Sequence, residues 1–298
     1  MKAAAFDYIR PDNLEAVISA LSQVGDEACI IAGGQTLVPL MAMRLVRPSL
    51  LIDINHVENL AGIYVEGDDL VIKACTRQAI AERSMELRSQ LPLLAKALGH
   101  VGHTQTRNRG TVGGSVANAD PAAEIPVVAQ TLNAAMVMKS TKGERTVRTG
   151  DFFFSAMDTA VEDEECLLEV RFPIWREDRV GTGFQEVSIR DSDFALVAAA
   201  AQLAVDEDGQ CVKASVTVGG CAPVATNIAG IADALIGTDL SDEAIKVAAG
   251  LVLDAIDPDS DVHATSDYRK RVAGKIVERV LFEARLETRL EIRAEANG

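Results

Sequence analysis

The sequence predicts an α+β protein of two domains, about 1–174 and 175–298, the first divided into parts of about 1–55 and 56–174. Three observations carry this. A chain of 298 residues is long for one hydrophobic core. Strand-like and helix-like runs alternate from the start, as in an α/β unit. Beyond residue 175, three strand-like runs precede a series of helices, which fits a smaller domain of a three-stranded antiparallel sheet plus helices.

Taken in order, Leu14, Val17, Ile18, Leu21 and Val24 recur at helical spacing behind Asp12 or Asn13, either of which can cap the helix. Cys29 to Ala32 reads as a short buried strand broken by Gly33-Gly34, and Pro39 suits the first turn of a helix running on through Leu40, Met41 and Leu45. Leu50 to Ile54 is a second strand. Ile63-Tyr64-Val65 and Leu70 to Ala74 form a hairpin around Gly67-Asp68. Thr76 can cap a helix from Arg77 to Arg83, and Leu91 to Leu98 reads as another helix. Ile125 to Leu132 is helical, Ala135 to Lys139 and Arg145 to Arg148 pair around Lys142-Gly143, and a strand from Cys166 to Phe172 ends at Pro173. Trp175 to Gly183 is polar and glycine-bearing, the character of a linker. Strands follow at Gly183 to Ile189, Ala195 to Val205 and Cys211 to Val218, the last two joined by Asp206-Glu207-Asp208-Gly209. Helices follow at Asn227 to Leu235, Ser241 to Ile256 and from Tyr268 onward. Thr217-Val218-Gly219-Gly220 copies Thr111-Val112-Gly113-Gly114, but in different surroundings, and reads as a strand ending in a glycine turn. On the last helix, Arg269, Lys270, Arg271, Lys275, Arg279, Arg285, Arg289 and Arg293 alternate with glutamates, the pattern of a solvated face stitched by i,i+4 pairs.

Two stretches call for chemistry. Arg107 to Glu124 contains Arg109-Gly110-Thr111-Val112-Gly113-Gly114-Ser115, whose small residues leave the backbone nearly bare, so that its N–H groups suit a phosphate. Arg109 adds local positive charge, and Asp120 and Glu124 can accept hydrogen bonds from sugar hydroxyls or a base edge. By itself the stretch is equally a tight structural loop. The second, Ile30-Ile31-Ala32-Gly33-Gly34-Gln35-Thr36-Leu37, is a strand, a glycine turn and a helix N-terminus, another arrangement that suits a phosphate.

Together these stretches resemble the flavin-bearing medium subunit of the molybdenum hydroxylases, the xanthine dehydrogenase and carbon monoxide dehydrogenase family. Its Ala-Gly-Gly-Gln/His-Ser/Thr-Leu run matches Ala32 to Leu37, and its Arg-Gly-Thr-Ile/Val-Gly-Gly segment leading into Ala-Asp-Pro-x-x-Glu/Asp matches Arg109 to Glu124. The resemblance covers essentially the whole chain. It implies a PCMH-like FAD-binding domain in which Ile30, Ile31, Ala32, Gly33, Gly34, Gln35, Thr36 and Leu37 wrap the pyrophosphate and ribityl chain. Thr111, Gly113, Gly114 and Ser115 would form a second phosphate cradle, and Asp120 and Glu124 would bind the nucleotide end. Val101 and Leu167 match positions that pack on the cofactor. Ser188 to Ala195 resembles a loop that approaches the isoalloxazine, which puts Phe194 near the ring; the alternative is an ordinary core phenylalanine. Gln185 stands where xanthine dehydrogenases carry a flavin-contacting lysine, so acceptor preference cannot be copied from them.

The resemblance further implies partners: a large molybdopterin-binding subunit and a small subunit with two [2Fe–2S] clusters, in a dimer of heterotrimers. This chain would collect electrons on FAD and pass them to an outside acceptor, while the oxidised substrate (carbon monoxide, an aldehyde, a purine or an N-heteroaromatic) would sit in another chain. No residue here is assigned a catalytic or metal-binding role. The alternatives are a self-sufficient flavoenzyme, which needs its own acid or base at the flavin, and an assembly module that has lost FAD.

Composition narrows the rest. Hydrophobic residues at 48% and charged residues at 24% argue against disorder, and a formal charge of −15 repels nucleic acid and anionic membranes. Phe194 to Val205, the strongest apolar run, falls short of the ~20 residues of a membrane helix. Met1 to Asp7 lacks the apolar core of a secretory signal, and the 5 scattered cysteines, with no C-x-x-C pair, read as small core residues in a cytoplasmic protein. His100 and His103 are spaced for a metal but lack a partnering cluster, so loop or helix-end roles are favoured. Neither a Walker A sequence nor G-x-G-x-x-G occurs.

Overall fold

The computed structural model describes residues 2–295, and side chains through residue 289. Arg293, assigned above to the charged face, lies outside the described side chains.

The first unit is a three-stranded parallel sheet in the order β1 (Asp7–Ile9), β3 (Leu50–Asp53), β2 (Ala28–Ile31). Helix α1 (Leu14–Val24) begins where the Asn13 side chain accepts the Ala16 N–H, and buries Val17, Ile18 and Leu21. Helix α2 (Leu37–Ala42) follows the glycine turn, with Pro39 inside its first turn as expected.

The next unit is a five-stranded antiparallel sheet in the order β4 (Ile63–Glu66), β5 (Asp69–Lys73), β10 (Cys166–Pro173), β6 (Ala135–Ser140), β7 (Gly143–Arg148). Between β5 and β6 the chain forms α3 (Gln78–Arg83), α4 (Met85–Gln90), α5 (Pro92–Leu98), α6 (Thr104–Arg109), α7 (Val112–Asn118) and α8 (Glu124–Leu132). After β7 come α9 (Thr149–Phe152) and the small pair β8 (Phe153–Ser155) and β9 (Asp158–Thr159). Helix α8 is apolar nearly all round because it is buried on both sides: its neighbours are α5 and the sheet on one side and the strands Ala195–Val205 and Cys211–Gly219 of the next unit on the other.

That last unit is an antiparallel sheet, β11 (Arg179–Ser188), β12 (Ala195–Val205) and β13 (Cys211–Gly219), extended by a two-residue strand, β14 (Thr226–Asn227). Helices α10 (Ala229–Leu235), α11 (Asp242–Gly250), α12 (Val252–Ala255) and α13 (Ser266–Glu295) cover its other face. Strand β12 is buried almost throughout and rich in alanine, so α8 and α13 approach it from opposite sides.

Several local expectations change. Thr76 does not cap α3; its hydroxyl bonds both the N–H and the carbonyl of Gly62, and Arg77 occupies the cap position. The extra helix α4 starts at Ser84, whose hydroxyl accepts the Leu87 N–H. The second glycine stretch is not a loop but the two short helices α6 and α7, and the helix expected from Ser241 to Ile256 breaks at Leu251. The supposed linker contains the start of β11. Its Gly181 and Gly183 exist for packing rather than flexibility, since a Cβ on either would overlap the carbonyls of Ala284 or Val280 in α13. Finally, Arg269 does not belong to a solvated face. It is 8% exposed and engaged in protein hydrogen bonds.

Candidate flavin-binding site

Where the three units meet lies a cleft of about 670 Å3, well within the range of pre-formed cofactor sites. One wall is Ala28 to Leu37. A second is built from Val101, Gly102, Thr111, Gly113, Gly114, Ser115, Asn118 and the turn from Asp120 to Glu124. Cys166 and Leu167 at the start of β10, with Val161 to Asp163, form a third, and Ser192 to Ala195 closes the last side. Arg109 faces a smaller adjoining pocket of about 250 Å3, shared with Ile31, Gly33, Gly34 and Gln35. Of the residues assigned to the cofactor from the sequence, Gln185 alone lines neither: its amide donates to Glu283 of α13 at 2.5 Å.

The two glycine stretches differ in what their backbone offers. In the first, Gly34 and Thr36 carbonyls accept Val38 and Leu40 N–H groups at 3.1 Å, but the amides of Gly33, Gly34, Gln35 and Thr36 have no protein acceptor among the described residues. A run of unpaired amides at a concave surface suits a pyrophosphate. Helix α2 has only 6 residues, so the loop amides rather than a helix dipole supply the attraction. In the second stretch the amides from Val112 to Ser115 are taken. Val112 N–H donates to Thr76, Gly113 N–H to Ala74, Ser115 N–H to Thr111, and Gly114 N–H to the Thr111 hydroxyl at 3.0 Å. The expected second cradle of backbone N–H groups is therefore narrowed: Thr111 to Ser115 border the cleft, and what they offer it is the Thr111 N–H, which has no protein acceptor among the described residues, and the Ser115 hydroxyl. Their glycines serve packing, because a Cβ on Gly113 would lie 2.6 Å from Ala74.

A polar crosspiece that the sequence reading missed joins the two stretches. Asn55 donates to the Ala32 carbonyl at 2.8 Å and accepts from the Arg77 guanidinium at 2.6 Å. The other arm of Arg77 donates to the Arg109 carbonyl. Asp53, bonded to Tyr8 and Asn55, holds the far end. Burial, and then the nearby Arg109 charge, pull the Arg77 pKa down. Arg77 and Arg109 place two positive charges behind the first glycine turn. Buried Gln78 donates its N–H to the Gly110 carbonyl and lines the cleft with an amide oxygen that has no partner among the described residues. Arg107 holds the carbonyls of Val101 and Gly102 and pairs with Glu82.

The acidic side is equally organised. Asp120 accepts the Ala122 N–H at 2.9 Å, shaping the turn. The Glu124 carboxyl, at the start of α8, is pushed up to about 7, mainly by burial and further by Glu186 and Asp120. His100 does not meet His103 around a metal; its Nδ1 lies 3.6 Å from Glu186, which raises the imidazole pKa, and its ring packs against Phe184. Cys29 lines the cleft with a thiol pKa raised by burial, so it is a poor nucleophile.

Phe194 lines the cleft yet is 76% exposed, so it is not a core residue. Phe194→Ala should therefore change apoprotein stability by less than about 0.5 kcal/mol. If the ring shields a bound flavin, the visible spectrum and reoxidation rate should change in the same variant. A large loss of melting temperature would contradict the exposed placement.

Comparisons with known proteins agree with this geometry. Residues 4–175 match the family described as the FAD binding domain in molybdopterin dehydrogenase, and residues 182–284 match the CO dehydrogenase flavoprotein C-terminal domain. The alpha subunit of the 6-hydroxypseudooxynicotine dehydrogenase complex of Paenarthrobacter nicotinovorans is 39% identical over 95% of this chain and 96% of its own. Among solved structures, reconstituted CO dehydrogenase from Oligotropha carboxidovorans superposes with a TM-score of 0.93 at 32% identity, covering 96% of this chain and 100% of the other. Quinoline 2-oxidoreductase from Pseudomonas putida 86 gives 0.91 at 37% identity, covering 97% and 99%.

Proposed function

The chain belongs to the FAD-binding medium subunits of the molybdenum hydroxylase family, and from this premise we propose that it is the electron-exit subunit of a three-component complex. The single observation that carries the site is the run of unpaired amides from Gly33 to Thr36, set against Arg109 at the edge of a cleft large enough for FAD. FAD supplies the redox chemistry, accepting and releasing electrons. The chain's own residues bind and orient it. The Gly33 to Thr36 amides and the Thr36 hydroxyl hold the pyrophosphate, backed by the charges of Arg77 and Arg109. Asp120 and Glu124 contact the nucleotide end. Val101 and Leu167 pack on the cofactor, and Phe194 limits access from solvent. Gln185, tied to Glu283, has no part in this arrangement.

In the complex, a small subunit with two [2Fe–2S] clusters would deliver electrons and a large molybdopterin-binding subunit would oxidise the substrate, in a dimer of heterotrimers. The chain would divide near residue 175 into an FAD-binding domain and a C-terminal medium-subunit domain. The cysteines, all free, suit a cytoplasmic setting, and no helix among the described residues is long and apolar enough to cross a membrane. Acid precipitation of the purified chain should release yellow FAD into the supernatant, and affinity purification from the native host should bring down the two larger and smaller partners. Flavin that stays in the pellet, FMN in place of FAD, or rapid substrate turnover by this chain alone would defeat the proposal.

A further inference from the structure

Arg269, in the first turns of α13, lies remote from the glycine stretches in sequence, yet it reaches the strand ends that carry two walls of the cleft. One arm of its guanidinium donates to the Leu196 carbonyl and, at 3.1 Å, to the Gly220 carbonyl. The other arm meets the Asp261 carboxylate at 2.7 Å. Asp261 is itself fixed by the N–H groups of His263 and Ala264 at 2.9 and 2.8 Å.

Leu196 directly follows Phe194 and Ala195, which line the cleft. Gly220 follows the end of β13 with φ +76°, and its N–H donates to the Pro121 carbonyl at 3.0 Å. Pro121 lies inside the turn whose Asp120, Ala122 and Glu124 line the opposite wall. This contact is close: a Cβ on Gly220 would lie 2.5 Å from the Leu196 carbonyl oxygen, and one on Gly219 would lie 2.8 Å from the Pro121 oxygen. One buried cation thus holds the Phe194 wall directly and the Asp120 wall through a single backbone hydrogen bond. A planar guanidinium can serve three acceptors at once in this way; a lysine ammonium cannot reproduce the fork.

We propose that Arg269 is a positioning residue for the cleft: by clamping the ends of β12 and β13 it sets the separation between the Phe194–Ala195 wall and the Asp120–Glu124 turn. It touches neither cofactor nor substrate. Its consequence for the flavin rests on the reading that FAD occupies the cleft; its consequence for the walls does not.

The test uses the full chain with Arg269→Lys and Asp261→Asn. Asp261 has a side chain 47% exposed, so its replacement loosens the clamp from the solvent side while Arg269 keeps its two carbonyl acceptors. Hydrogen exchange of the Gly220 and Ala122 amides should accelerate at least tenfold in both variants, while amides in β6 and β10 keep their parent rates. In FAD-loaded protein, the visible absorption bands should shift at unchanged FAD content. Uniform acceleration over the whole chain, or parent-like exchange at Gly220, would overturn the proposal. If the parent protein carries no FAD, the proposed function fails, but the exchange measurement still decides the role of Arg269.

Discussion

Gly33→Val should purify with less than about a tenth of the FAD of the parent protein. The reason lies in where its Cβ must go: 2.6 Å from the Arg109 carbonyl oxygen and 2.8 Å from the Gly110 Cα, both backbone atoms. Neither can rotate away as a side chain would, so the two stretches must separate. Separation strains the link from Ala32 through Asn55 and Arg77 to the Arg109 carbonyl, and displaces the unpaired amides that line the cleft. Overpacking of this kind costs about 1–3 kcal/mol. If all of it falls on binding, affinity drops by roughly one to two orders of magnitude. Gly114→Val should do less, because its Cβ would meet the Thr111 hydroxyl at 2.7 Å and chiefly disturb the cap of α7, a loss of about 1 kcal/mol. Gly230→Ala, with nothing within 4 Å of the added Cβ, is the control and should keep full FAD. The measurement is the flavin-to-protein absorbance ratio, with the affinity of each apoprotein for added FAD. Parent-like FAD content in Gly33→Val would remove the first glycine turn from the site.

The same contacts explain what could and could not be read in the chain. The first glycine turn was legible because its neighbours carry strong local signals: an apolar strand before it, a helix-starting proline after it, and amides that the turn itself leaves unpaired. The second stretch was legible as part of the site but not as structure. Glycines argue for a loop, yet Val112 to Asn118 is helical because Gly113 must lie flush against Ala74 at the end of β5, a requirement that exists only after folding. That same docking ties up the amides of Val112 and Gly113, and the α7 cap takes that of Gly114, so a bare backbone in the sequence did not mean free N–H groups in the structure. Asn55, Arg77 and Gln78 were missed for a related reason. Single polar residues carry no periodicity, and only folding brings Asn55 to Arg77, 22 residues further on. Arg269 shows the limit of charge patterning: its neighbours alternate in sign as on any exposed helix, and Lys270 and Lys275 do make surface pairs, but the first turns of α13 run over the ends of β12 and β13. Phe194 went the other way, an aromatic left exposed where an ordinary sheet would bury it.

Replacing Glu124 by glutamine should make the apoprotein more stable at pH 8 than the parent, with a much smaller difference at pH 5. The carboxyl titrates near 7 in the folded chain, against an ordinary 4.5, which it regains on unfolding. Burial is the main cause, and Glu186 and Asp120 add to it, while His100 and the N–H at the start of α8 act in the opposite direction. Between about pH 4.5 and 7 the folded state therefore binds more protons than the unfolded state. Stability is full below that window, falls as pH rises through it, and levels off above it. A displacement of roughly 2.5 pH units corresponds to about 3 kcal/mol at most, and coupling to His100 and Glu186 reduces what this one group contributes. Glutamine keeps the shape and the hydrogen-bonding capacity but has nothing to ionise. The variant should thus gain a few degrees in melting temperature over the parent at pH 8, following the scale of about 2–4 °C per kcal/mol for chains of this general size. Apoprotein must be used, since bound FAD would add its own pH-dependent stabilisation. A difference between variant and parent that stays constant from pH 5 to 8 would mean that Glu124 is solvated and ionised in the usual range. Its place as a desolvated wall of the cleft, about half protonated at pH 7, would then have to be given up.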